Sequence, residues 1–237
     1  KREFYKIKLF CRGVEVPSYI RDGRLEAYMS ESYFSKIKNK NFNCSVNIKN
    51  KTYIVAHINL IDKTYPKEKL KVDRRKVTLS KKDLRRVISE RKLLTKVYNN
   101  TIKVPLFDNK FSLPLNSFVT SPFGVRRLFN NKKKSQHLGL DFRASVGKPI
   151  PASNRGKIVL AKNLFFTGNT VIINHGVGIF TMYAHLSKIF VRENDLVKRK
   201  DILGLAGMSG RVTGPHLHWG VKVHNNWVDG VTLVSIK

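Results

Sequence analysis

Apolar and polar residues alternate through much of the first ~75 positions, the signature of half-buried strands. Phe42, Cys44, Val46 and Ile48 alternate with Asn43, Ser45 and Asn47, and strand-length runs also cover Phe4–Phe10 and Tyr53–Leu60. The pattern breaks at Tyr65-Pro66-Lys67 and resumes with a different period. Ser80 stands where a helix cap belongs, with Asp83 at the third helical position. Leu84, Val87, Ile88, Leu93, Leu94 and Val97 follow at helical spacing to about Tyr98. Beyond Asn99, prolines and glycines punctuate short apolar runs, as in an all-β domain. Val171–Asn174 and Ile179–His185 flank His175-Gly176-Val177-Gly178 and predict a hairpin. The expected organisation is a strand-rich domain over 1–78, a connecting helix over 79–100 and a second β domain over 101–237.

Charge adds a partner class. The 237 residues carry 46 Lys and Arg against 16 Asp and Glu, a net +30, while 41% hydrophobic content excludes a wholly disordered chain. An anionic partner is expected: nucleic acid, an acidic membrane surface, or a polymer such as bacterial cell wall. No ribonucleoprotein-type aromatic signature or paired-cysteine finger supports functional nucleic-acid binding. The longest uncharged stretch, Asn163–Ser187, is cut by asparagines and glycines into strand lengths, so no transmembrane segment is read. Lys1 follows neither an initiator methionine nor an apolar leader, as expected after removal of a signal or anchor. Cys11 and Cys44 fit a disulfide in an oxidising compartment and fit two buried thiols equally well.

Candidate chemistry sits in the second half. In His137-Leu138-Gly139-Leu140-Asp141, strand alternation puts the imidazole and the carboxylate on one face with Gly139 between them. His216 and His218 likewise share a face opposite Leu217 and Trp219. Neighbouring imidazoles conflict when both are charged or both lack partners, and a divalent metal relieves the conflict. Two histidines and an aspartate match the ligand count of a catalytic zinc. His185, on the alternation face of Thr181 and Tyr183, is a third imidazole aimed the same way. Glu193 is the only glutamate after residue 100, so the remaining histidines are the candidates for proton transfer. His57, His175 and His224 read as structural.

Three spaced motifs carry a resemblance. His137-x-x-x-Asp141, Tyr183-Ala184-His185-Leu186 and Gly207-Met208-Ser209-Gly210-Arg211-Val212-Thr213-Gly214-Pro215-His216-Leu217-His218 together resemble the lysostaphin/LytM-type zinc metallopeptidases, over roughly Ser117–Val234. The resemblance implies an antiparallel β-sheet domain with an open groove that hydrolyses peptide bonds of peptidoglycan through metal-activated water, with D,D-cross-links favoured. It implies one Zn2+ per chain on His137, Asp141 and His218, and a catalytic pair of His185 and His216. Tyr183 and Arg126 are the candidate substrate contacts, although Tyr183 equally fits packing, and Arg126 with its neighbour Arg127 reads more readily as solvated surface than as a contact to anionic substrate. Trp219-Gly220 departs from the aromatic-glutamate pair of many members and leaves subsite preference open. The family's habit of carrying an amino-terminal accessory domain adds the expectation that 1–78 is a small β-sandwich that positions the wall or covers the groove. A periplasmic or secreted monomer acting on peptidoglycan follows, with a non-catalytic or latent wall-binding regulator as the alternative.

Overall fold

The computed structural model describes residues 7–36, 38–70, 79–108, 110–131 and 133–236. The chain divides into two compact units, with the break between Thr64 and Tyr65. In the first unit, β1 (Leu9–Cys11), β2 (Val14–Val16), β5 (Asn41–Ile48) and β6 (Lys51–Asn59) form an antiparallel sheet ordered β2-β1-β5-β6. A hairpin of β3 (Ser18–Arg21) and β4 (Arg24–Ala27) supplies Leu25 and Ala27 to the same small core. Alternation along β5 holds at its centre, where Cys44 and Val46 are buried, and fails at Ile48, which is exposed beside the β5–β6 turn. The expected strand Phe4–Phe10 begins outside the described residues.

Register settles the cysteines. Cys11 lies directly opposite Cys44 across β1 and β5, and the two form a disulfide. Cross-linking positions 33 residues apart stabilises the unit by about 3–4 kcal/mol in the chain-entropy account.

The second unit opens with β7 (Lys67–Leu70), followed by α1 (Lys81–Asn99), β8 (Val119–Ser121), β9 (Arg126–Phe129), β10 (Lys133–Gln136) and β11 (Leu140–Arg143). It continues through β12 (Pro149–Pro151), β13 (Gly156–Leu164), β14 (Gly168–Gly176), β15 (Ile179–Leu186), β16 (Lys188–Ile189), β17 (Leu196–Val197) and β18 (Ile202–Leu205). Last come β19 (His216–Val223), β20 (Asn226–Val228) and the short α2 (Gly230–Ser235). The main sheet is antiparallel, ordered β17-β13-β14-β15-β19-β11-β8, with β20 paired to β19. Two smaller sheets accompany it, β12-β18-β16 and β10-β9-β7, the latter joined by the parallel pair β7–β9. The protein is thus mainly β and mostly antiparallel.

Covering elements explain why β15 is buried along its whole length. Ser80 caps α1 as its side chain accepts from Asp83 N at 3.1 Å. Leu93, Leu94, Val97 and Tyr98 then pack on Leu160, Leu164, Ile172, Phe180 and Met182 of the sheet. Leu84 and Ile88, expected in the same stripe, are about half exposed. The first half of the helix is docked by polar contacts instead: Glu90 accepts from Phe165 N at 2.8 Å and Arg86 donates to Asn163 Oδ1 at 2.9 Å.

Candidate active site

The sheet face that α1 covers at β13–β15 continues uncovered over β15, β19 and β11. Directly opposed residues of an antiparallel pair point to the same side. Ala184 opposes His218 and His218 opposes Asp141, so one row of side chains crosses three strands. Arg143 opposes His216 one step along. The row floors an open groove of about 680 Å³ lined by His137, Asp141, His185, His216, His218 and Arg127 among others.

At its centre Asp141 Oδ1 lies 2.9 Å from His137 Nε2 and 2.8 Å from His218 Nδ1, and the two ring nitrogens are 3.1 Å apart. His137 Nδ1 sits 2.9 Å from the Pro122 carbonyl, which can only accept, so this nitrogen carries the proton and Nε2 presents its lone pair. Gly139 is required beside this cluster because a Cβ there would come within 2.5 Å of the His218 ring. Burial disfavours the charged form of Asp141, yet the adjoining imidazoles of His137 and His218 outweigh it and hold the carboxyl well below the usual range. Burial pushes His218 down, against its bond to Asp141. Three donors, two imidazole nitrogens and a carboxylate oxygen, therefore converge on one point, and their chemistry suits zinc.

His185 and His216 flank the cluster with ring centroids 4.8 Å apart. Nδ1 of each donates to a carbonyl at 2.9 Å, Ser209 O for His185 and Gly214 O for His216, which leaves both Nε2 atoms as acceptors. Burial, then the neighbouring His218, push His185 down to about 3. His185 reaches the groove by a route that alternation does not provide. Tyr183, two residues earlier, opposes Trp219 on the far face, and the ring of His185 is turned back by a left-handed backbone (φ 64°) beside a shift of the β14–β15 register. Such a conformation costs a non-glycine residue roughly 1–2 kcal/mol. The shared face expected for Thr181, Tyr183 and His185 is corrected accordingly.

Tyr183 is fully buried, its hydroxyl accepting from Ser153 N at 2.8 Å and lying 3.1 Å from Thr181 Oγ1. It does not line the groove, and neither does Arg126, whose backbone N donates to Pro66 O. Arg127, the next residue along β9, does. His175 is fully buried, with Nδ1 donating to Arg155 O and Nε2 accepting from Thr181 Oγ1, each at 2.7 Å. Burial lowers its pKa from 6.5 to about 4. Between those values the unfolded chain binds a proton that the folded chain refuses. Stability from this residue is therefore complete above pH 6.5 and falls by up to about 3 kcal/mol as the pH drops toward 4. Urea midpoints at pH 7.5 and 4.5 should show His175→Gln losing less stability on acidification than the parent. Equal losses would reject the assignment.

Sequence comparison supplies a family match for the part of the chain that carries the site. Residues 135–230 match the model of Peptidase family M23. This stretch is similar to the M23 peptidases. The peptidoglycan DD-endopeptidase ShyA of Vibrio cholerae is 40% identical over 114 residues, covering 48% of this chain and 26% of that protein. The DD-carboxypeptidase/endopeptidase Mpg of Neisseria meningitidis is 36% identical over 115 residues, again 48% of this chain and 26% of that protein. The chain thus spans about a quarter of the length of these curated relatives. A crystal structure of a putative peptidase M23 from Pseudomonas aeruginosa superposes with a TM-score of 0.73 at 27% identity, covering 96% of this chain and 87% of that one. The matched stretch contains Asp141 and all four groove histidines, whereas Arg127 lies outside it.

Proposed function

We propose that the protein is a zinc-dependent endopeptidase that hydrolyses the peptide cross-links of peptidoglycan, with D,D-bonds as the preferred target. The observation that carries this reading is the convergence of His137 Nε2, Asp141 Oδ1 and His218 Nδ1 on an open groove, beside two further imidazoles with acceptor Nε2 atoms. His137, Asp141 and His218 would hold the zinc, which would supply Lewis acidity toward a water and the scissile carbonyl. His185, kept neutral by burial, accepts the water's proton at Nε2, while its Nδ1 bond to Ser209 fixes the ring. His216 Nε2, 3.8 Å from Asp141 Oδ1, faces the same space and, once protonated, donates toward the oxyanion. The names of ShyA and Mpg, both endopeptidases, support the reaction class, and ShyA's supports the substrate.

The net charge of +30 favours collection on a carboxylate-bearing or phosphate-bearing wall polymer. A substrate of that kind and the Cys11–Cys44 disulfide both favour work outside the cytoplasm, in the periplasm or secreted. Among the described residues no helix is long and apolar enough to cross a membrane. Mass spectrometry of purified sacculi incubated with the protein should show loss of cross-linked fragments only without chelator, with product masses naming the bond. Intact cross-links in both samples would reject the enzyme and favour a wall-binding regulator.

A further inference from the structure

The two oxygens of Asp141 keep different company. Oδ1 faces His137 and His218, as described, while Oδ2 lies 3.3 Å from Nη2 of Arg127. The same Nη2 donates to Ser121 Oγ at 2.6 Å, and Ser121 Oγ is 3.2 Å from His137 Nδ1. Arg127 Nε in turn donates to Glu68 Oε2 at 3.2 Å. Glu68 reaches it because the parallel pairing of β7 with β9 puts the two residues in register.

We propose that Arg127 is a positioning residue for the metal site, holding Asp141 so that only Oδ1 is offered to the cation, and that Glu68 holds Arg127. The inference rests on the metal reading of His137, Asp141 and His218. A carboxylate beside a divalent cation is free to bind through one oxygen or both, and a catalytic zinc needs three protein ligands and an open position. A guanidinium is a permanent donor, so it occupies Oδ2 at every working pH. Its positive charge repels a nearby cation, and Glu68 offsets that charge from the far side. Hydrogen-bonded partners of metal ligands commonly govern affinity and activity by about 10–100-fold.

The test uses the full chain with cobalt(II) replacing zinc, because cobalt's visible absorption weakens when a fifth ligand joins four. The parent is expected to give the intense four-coordinate spectrum. Arg127→Gln should retain one cobalt and lose half or more of that intensity, Arg127→Lys should recover part of it, and Glu68→Gln should shift it in the same direction by less. On substrate, Arg127→Gln should lower kcat about 10–100-fold with KM little changed. Glu68→Gln should add nothing in the Arg127→Gln background, the sign of two residues acting in series. Unchanged cobalt spectra in both Arg127→Gln and Glu68→Gln overturn the proposal while leaving the enzyme reading intact. A parent that binds no cobalt overturns the metal reading and this inference together.

Discussion

His216→Ala is expected to keep one zinc per chain and to lose about 10²–10⁴-fold in kcat. His216 stands 3.8 Å from Asp141 Oδ1, outside the set of atoms at 2.8–3.1 Å, and its Nδ1 bond to Gly214 O leaves Nε2 for proton transfer. Removing its ring therefore removes the proposed proton carrier and no donor atom of the cluster. His137→Ala should behave differently, losing both metal and turnover, since its Nε2 is one of the three convergent donors. Metal content by elemental analysis alongside turnover on cross-linked muropeptides separates the two. A metal-free His216→Ala protein, or an active metal-free His137→Ala protein, would exchange or abolish the roles.

Trp219→Ala should cost about 3–5 kcal/mol, the range for emptying a buried aromatic site. Trp219 is fully buried behind the groove, opposite Leu140 on one neighbouring strand and Tyr183 on the other. Its ring lies 6.3 Å from that of Phe142, and a Cβ on Gly230 would approach the indole to 2.4 Å, so α2 closes tightly over it. Because so many rigid elements meet there, little collapse into the void is expected. The chain has two tryptophans, and Trp227, packed beside the Tyr98 cluster in the same unit, remains as the fluorescent reporter of urea unfolding. A loss below about 1 kcal/mol would mean that the neighbours relax into the space. Zinc affinity should fall along with stability, because His218 adjoins Trp219 on the same strand.

Local pattern made much of the site legible. His216 and His218 announce their shared face through alternation along β19, and the structure brings them to one groove with His137 and Asp141. His137 and Gly139, however, lie in the link between β10 and β11 and not on the strand that alternation predicts. The Ser80 cap and the end of α1 were equally readable. Features set by distant pairing were not. Nothing local indicates that β7 runs parallel to β9 and delivers Glu68 to Arg127, or that β1 lies in register with β5 so that Cys11 meets Cys44. His185 defeats pattern reading for another reason: its own backbone is left-handed, and alternation assumes extended backbone. Arg126 and Arg127 illustrate the limit of naming a motif without its register, since adjacent strand residues point to opposite sides.

The direct opposition of Asp141 and His218 across β11 and β19 also bears on how the chain folds. A slip of one residue between these strands would turn one partner away from the other and scatter the donors over two faces. Misregistered chains would then have no place for the cation, and a ligand that binds only the correct pairing draws the population toward it by mass action. Zinc supplied during refolding should accordingly act as a selector of strand register and raise the yield of correctly paired protein, before any substrate is present.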